Sequence, residues 1–447
     1  MKKIFKNLGG ALMLAAALVF TSCDQFKSFI DNPVSSYLEV NPESVTLKVG
    51  EEKALEVTTI SDQPITYTSS NEDVATVDAK GVITAVSEGD AIITVSVAST
   101  DTYAAGMKQV QVKVEPAPIH TIPLTIEAKA ENGATVKLTK NDASLELKTI
   151  KYKKSTDTSW KDYEFDGKNG DEISLNKGES VSFWSNNAAL GQKPEDSSPI
   201  YSYFEISDEC YVYGNVMSMI DDQEGATAEH PKFSTDEEIG ASRAFYYLFK
   251  NCKKILNHES KELVLPAKTL TSYCYYCMFY ACEMLTEAPE LKAETLEDNC
   301  YQSMFSGCKS LTKAPDLKAK TLKNECYVSM FNSCWALTDA PEIAAETVAP
   351  YCCQFMFSGC RSLTKGPVLK AKKLERACYN GMFFFCYKLG SLTCLATDIS
   401  ANGCVAAWLS MAGDQAEGDK ILYVDPSMTT GADWNLGSGW KTAPAVD

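Results

Sequence analysis

Six cysteines, Cys274, Cys300, Cys326, Cys352, Cys378 and Cys404, stand 26 residues apart, and a second set follows eight positions later at Cys282, Cys308, Cys334, Cys360 and Cys386. A strict period of this length marks a repeat architecture, in which no single unit buries its own apolar face and neighbours must stack. Between the two sets sit Met278-Phe279, Met304-Phe305, Met330-Phe331, Met356-Phe357 and Met382-Phe383, and beyond them Leu285, Leu311, Leu337, Leu363 and Leu389. Five full repeats therefore span 274–403. A longer forerunner from Ala244 carries Leu248-Phe249 and Cys252, and a degraded copy from Cys404 to Ala412 carries Trp408-Leu409. Irregular end units of this kind are caps.

With the first cysteine of each repeat as position 1, positions 1, 2, 5, 6 and 9 are apolar. At about 100° per residue these points fall within one arc of about 140°, which predicts a short amphipathic helix. The next segment, such as Leu-Thr-Lys-Ala-Pro-Asp-Leu at 311–317, is restrained by proline and is expected to supply one strand per coil. Residues 244–412 are thus expected to form an α/β solenoid of 26-residue repeats. Positions 1 and 9 would then lie about 12 Å apart along one helix, and neighbouring helices about 8 to 10 Å apart. Both exceed the roughly 7 Å that a disulfide spans, so free buried thiols are expected.

The pattern Met-Phe-x-x-Cys-x-x-Leu-x-x-Ala-Pro-x-Leu resembles the BspA-type leucine-rich repeats of surface proteins from Gram-negative anaerobes. That resemblance implies an α/β leucine-rich-repeat solenoid displayed outside the cell, a role in attachment to host proteins or other bacteria, and no catalytic residue.

Upstream, residues 37–116 alternate apolar and polar, as at Val45, Leu47 and Val110, Val112, Val114, with turn signals at Lys80-Gly81 and Gly89-Asp90. Short strands at this spacing predict a β-sandwich. The succession Ser69-Ser70-Asn71, Val74-Ala75-Thr76-Val77, Gly81-Val82-Ile83-Thr84-Ala85 and Gly89-Asp90-Ala91-Ile92-Ile93-Thr94-Val95 resembles a group 2 bacterial immunoglobulin-like domain, with Tyr67 at the usual tryptophan. The resemblance implies a spacer or adhesive module. Pro116-Ala117-Pro118 reads as a stiff linker. Residues 120–235 read as a second all-β, sandwich-like domain, on patterns such as Thr135-Val136-Lys137-Leu138 and Val181-Ser182-Phe183-Trp184. Trp160 and Trp184 are either core residues or sugar platforms, core being the commoner role of a strand tryptophan. Residues 413–447, with Trp434 and Trp440, are expected to cap the solenoid.

Lys2, Lys3 and Lys6 precede an apolar stretch from Leu8 to Phe20, the layout of a secretory signal at 1–22. Phe20-Thr21-Ser22-Cys23 resembles a bacterial lipobox, which implies cleavage before Cys23, lipid attachment at its thiol and a tether at 23–36. The expected location is the outer membrane, held by the lipid anchor alone and facing the exterior.

The chain carries 42 basic and 59 acidic side chains, a formal charge of −17, which disfavours nucleic acid as a partner. Its three histidines have no second ligand at metal spacing, and Cys274-x-x-Cys277 and Cys352-Cys353 fall largely on repeat positions, so neither metal nor cofactor is expected. No nucleophile elbow, phosphate loop, dinucleotide fingerprint or zincin motif occurs, and an enzyme is not expected. The full repeats hold 13 basic and 13 acidic residues, which leaves no strongly charged stripe.

Positions 5 and 6 never change across the five repeats, whereas position 10 reads Glu283, Lys309, Trp335 and Arg361 in the first four. A constant scaffold beneath a varied surface suits recognition. Tyr280, Lys309, Trp335, Arg361, Phe384 and Phe385 are accordingly the candidate ligand contacts, the competing role being contact with an adjacent coil or the cap. The function expected is that of a cell-surface lipoprotein acting as a non-enzymatic binding or adhesion protein toward an extracellular protein or glycan. A glycan-binding lipoprotein for polysaccharide capture and a structural envelope protein are the alternatives.

Overall fold

The computed structural model describes residues 33–48, 51–87, 89–115, 121–195, 197–233, 238–430 and 432–445. They fall into two compact units, one ending at Pro118 and one beginning at Ile119. The leader, Cys23 and the Pro116-Ala117-Pro118 linker lie outside the described residues.

In the first unit, Ser44–Lys48, Gly106–Glu115, Gly89–Val97 and Ile65–Ser69 form a four-stranded sheet in that order. Glu52–Ala54, Val82–Ala85 and Ala75–Val77 form a three-stranded one. Alternation drives the pairing: along Gly89–Val97, Ala91, Ile93, Val95 and Val97 are buried while the residues between them are not. They meet Ile83, Val110 and Val112 in a single core. Tyr67 packs at its margin against the turn at Gly81, whose φ of 80° and lack of a Cβ leave room for the phenol ring.

In the second unit, Thr125–Ala128 lies between Ser180–Ser185 and Cys210–Asn215, and Ala134–Lys140 pairs with Ile200–Ile206. Val136, Leu138, Phe183 and Phe204 fill the space between them. Trp184 is buried and its indole donates to Asp221 at 2.8 Å, while Trp160 is partly buried against the same core. Cys210–Asn215 also pairs in parallel with Ile255–Leu256 and Leu263–Val264, and the core continues unbroken from Leu124 to Trp440. The strand Ile200–Ile206 thereby serves as the first rung of the repeats: the Phe204 amide donates to the Leu248 carbonyl at 2.8 Å, and its ring stacks on Phe249 at 5.3 Å.

The repeats stack coil on coil, but the expected α/β solenoid is overturned. Among the described residues there is no α-helix, and helical turns are confined to short 3-10 segments such as Val216–Met219. The segment read as a helix is a run of tight turns in which every fourth residue takes positive φ: Tyr273, Cys277 and Ala281, then Asn299, Ser303 and Gly307, then Glu325, Ser329 and Ser333. A right-handed helix admits no such residue. Alternate amides do different work. Those of Met278, Tyr280 and Cys282 close turns onto residues three earlier, while those of Tyr275, Cys277, Phe279 and Ala281 donate to Cys300, Gln302, Met304 and Ser306 of the next coil at 2.8 to 2.9 Å. The amides of the turn segment thus alternate between closing a turn within the coil and binding the next coil.

The helix reading fails because positions 1, 2, 5, 6 and 9 repeat every four residues as well as they fit 3.6, and nine residues are too few to separate the two. The strand expectation fares better. Single parallel bridges join coils at Leu265 and Leu291, at Glu287 and Lys313, and at Leu317 and Ile343. Pro289, Pro315 and Pro341 supply no amide at the repeat position where a ladder would continue. Further along, Lys365–Leu369 pairs with Ser391–Cys394 through a register shift between Lys365 and Val368, where Pro367 stands, and Lys420–Val424 and Trp440–Pro444 complete a four-stranded parallel sheet that closes the stack. Trp408, in place of the repeat methionine, stacks on Trp434 at 6.0 Å and donates its indole N–H to the Trp434 carbonyl.

Candidate functional site

Each four-residue turn unit sends two side chains inward and two outward. Positions 1, 2, 5, 6 and 9 face the core, and the position 6 rings form a column, Phe249, Phe279, Phe305, Phe331, Phe357 and Phe383, with centroids 5.5 to 5.7 Å apart. The position 9 thiols run beside them. Cys282, Cys308, Cys334, Cys360 and Cys386 each donate from Sγ to the phenylalanine carbonyl of the preceding coil at 3.0 to 3.2 Å. The periodic cysteines are therefore more than small apolar fillers. All sixteen cysteines among the described residues are free and buried. The helix distances are not the reason, since stacked coils bring equivalent residues to roughly the 4.8 Å of parallel strands. Burial instead pushes thiols such as Cys274, Cys308 and Cys360 up to about 12, and a thiol must ionise to exchange. Cys277 is among the buried set, and no three His, Cys, Asp or Glu of the described residues come together to hold a metal.

Outward-facing positions are where a ligand has access. Lys309, Trp335 and Arg361 are brought together: Lys309 Nζ lies 5.0 Å and the Arg361 guanidinium 4.7 Å from the Trp335 ring centroid, from the coils before and after it. The column continues through Glu283, which pairs with Lys309 and Lys253 at 3.0 Å each and whose carboxyl those two ammonium groups hold below its ordinary range. Trp335 keeps 38% of its surface exposed, yet its ring is engaged by two cations of its own chain. Tyr280, 41% exposed, stands two coils away, and Phe384 and Phe385 lie two coils beyond Trp335 on the other side. Those two rings are half-buried against each other at 3.9 Å. The six candidates thus form no single pocket.

A denser constellation lies where the first two coils meet the strand Ile200–Ile206. Tyr201 stacks on Tyr247 at 4.9 Å and touches Tyr203 at 6.1 Å. Tyr247 meets Tyr276 at 5.5 Å, Tyr276 lies flat on Tyr246 at 4.7 Å, and Tyr273 follows at 5.8 Å. Lys250 donates to the Tyr201 hydroxyl at 2.6 Å, its ammonium 4.3 to 5.3 Å from the rings of Tyr203, Tyr201 and Tyr247. Arg243 lies over Tyr273 at 4.4 Å. Sequence reasoning passed this surface over, although Tyr246-Tyr247 and Tyr273-x-Tyr275-Tyr276 are visible as tyrosine-rich runs. What hid it was the helix assignment, which does not separate the buried Tyr275 from Tyr273 and Tyr276 at outward turn positions.

Residues 36–107 match the model of the bacterial Ig-like domain (group 2). A domain of that kind in the chain points to a protein of surface or adhesion type. No curated protein matches the chain.

Proposed function

We propose that this is a lipid-anchored protein of the outer membrane, exposed to the exterior, whose repeat stack recognises an extracellular ligand without turnover, metal or cofactor. One observation carries the reading. The Met and Phe of positions 5 and 6 are fully buried in all five coils, while the outward positions above them change from coil to coil. A stack of this kind varies its surface without disturbing the residues that hold it together. The Ig-like unit serves as spacer or secondary contact, and the lipobox-like Phe20-Thr21-Ser22-Cys23 supplies the anchor.

Two measurements test it. The chain without its leader and anchor cysteine, residues 24–447, offered a panel of purified glycans and extracellular-matrix proteins, should retain at least one member; retention of none removes the recognition role. In cells, radiolabelled fatty acid should enter the wild-type protein and not Cys23→Ala, and label in the variant removes the anchor.

A further inference from the structure

The tyrosine surface at the start of the stack joins a cluster of phenol rings to two cations, whereas many lysines of the following coils are neutralised by glutamates. Lys253, Lys309, Lys313, Lys318, Lys320 and Lys323 each pair with a glutamate. Lys250 and Arg243 have no carboxylate at ion-pair distance among the described residues, in a chain whose formal charge is −17. Arg243 is further short of a partner: its Nε–H is buried and donates to no acceptor. A buried donor of this kind calls for an acceptor. Two unpaired cations thus flank a continuous surface of phenol rings.

The backbone beneath them is already satisfied. The Tyr247 amide donates to Tyr276, that of Tyr276 to Tyr273 and that of Lys250 to Tyr247, so a ligand meets ring faces, hydroxyls and cations rather than a free strand edge. That argues against a peptide added as a strand. The phenols are protonated donors at neutral pH, as any tyrosine is, and burial raises Tyr247 and Tyr276 further from ionising. Ring faces that pack against sugar C–H groups, hydroxyl donors and fixed cations together describe a site for a charged sugar chain.

We propose that the surface formed by Tyr201, Tyr203, Tyr247, Tyr273 and Tyr276, backed by the buried Tyr246, binds an acidic polysaccharide, with Lys250 and Arg243 on its carboxylate or sulfate groups. This rests on the reading of the stack as a recognition element and names its ligand class.

The test uses the mature full chain with polygalacturonate as the carboxylate probe, chondroitin sulfate as the sulfate probe and dextran as the neutral control. At least one acidic polymer should bind, more weakly as salt rises, and dextran should not. Arg243→Gln with Lys250→Gln should reduce that affinity tenfold or more, whereas Arg243→Lys with Lys250→Arg should retain most of it. Circular dichroism and the thermal midpoint of each variant separate lost binding from lost folding. Affinity unchanged in the glutamine variant, or equal binding of dextran, overturns the proposal. Failure of both acidic polymers while a matrix protein is retained overturns this site and leaves the recognition role standing; retention of nothing in either panel overturns both.

Discussion

The thiol of Cys334 donates to the carbonyl of Phe305 in the preceding coil at 3.2 Å, and that same carbonyl accepts the amide of Cys308 at 3.1 Å. One oxygen therefore ties a turn shut and binds the next coil to it. Cys334→Ala removes the inter-coil donor and leaves a small void, so it should lower stability by about 1 kcal/mol in chemical denaturation. Cys334→Leu overfills the column and should cost about 1 to 3 kcal/mol. Equal stability of wild type and both variants would show the thiol column to be incidental.

Alkaline pH should unfold the repeats. Burial raises Cys274, Cys308 and Cys360 from an ordinary value near 9 to about 12. Above pH 9 the unfolded chain releases thiol protons that the folded chain retains. The stability these groups confer is full below pH 9 and is lost as pH climbs toward 12. Denaturation midpoints measured from pH 7 to 11 should fall progressively above 9, and a flat profile contradicts the burial.

Gly381 distinguishes turns from helix by the sign of one substitution. In a helix interior, glycine to alanine stabilises by about 1 kcal/mol. Here Gly381 has φ of 59°, and an added Cβ would overlap the Phe355 ring of the coil before it. Gly381→Ala should therefore destabilise by about 2 kcal/mol, read from the shift in denaturation midpoint. A stabilised variant would restore the helix.

Those turns mark the boundary of what the sequence discloses. The stack, its inward Met-Phe pairs and its parallel bridges follow from the 26-residue period, because burial by stacking has few solutions. The Ig-like sandwich follows from period-two alternation and turn residues. The conformation inside each coil does not follow, since an apolar spacing of four suits a short helix and a run of turns alike. Gly307, Gly359, Gly381 and Gly403 at the positive-φ positions were the local signal, diluted by Tyr273, Glu325 and Phe355 in the same conformation. The candidate surface was half legible: position 10 gathers Lys309, Trp335 and Arg361, but the tyrosine cluster draws on Tyr201 and Tyr203, far from the repeats in sequence.

Trp335 tests whether an exposed aromatic in the stack is a ligand contact or a tie between coils. With a cation from each neighbouring coil against its ring, Trp335→Ala should lower stability by about 1 to 2 kcal/mol, and a double-mutant cycle with Arg361→Ala should return a coupling of about 0.5 to 1 kcal/mol. Zero coupling frees the ring for a ligand alone.

The central claim, that recognition resides in the repeats, is tested most directly by hydrogen exchange on the mature chain, alone and with whichever panel member it retains. Bound chain should gain protection in peptides covering the turn segments of 243–361. Added protection confined to residues 37–115 would contradict it.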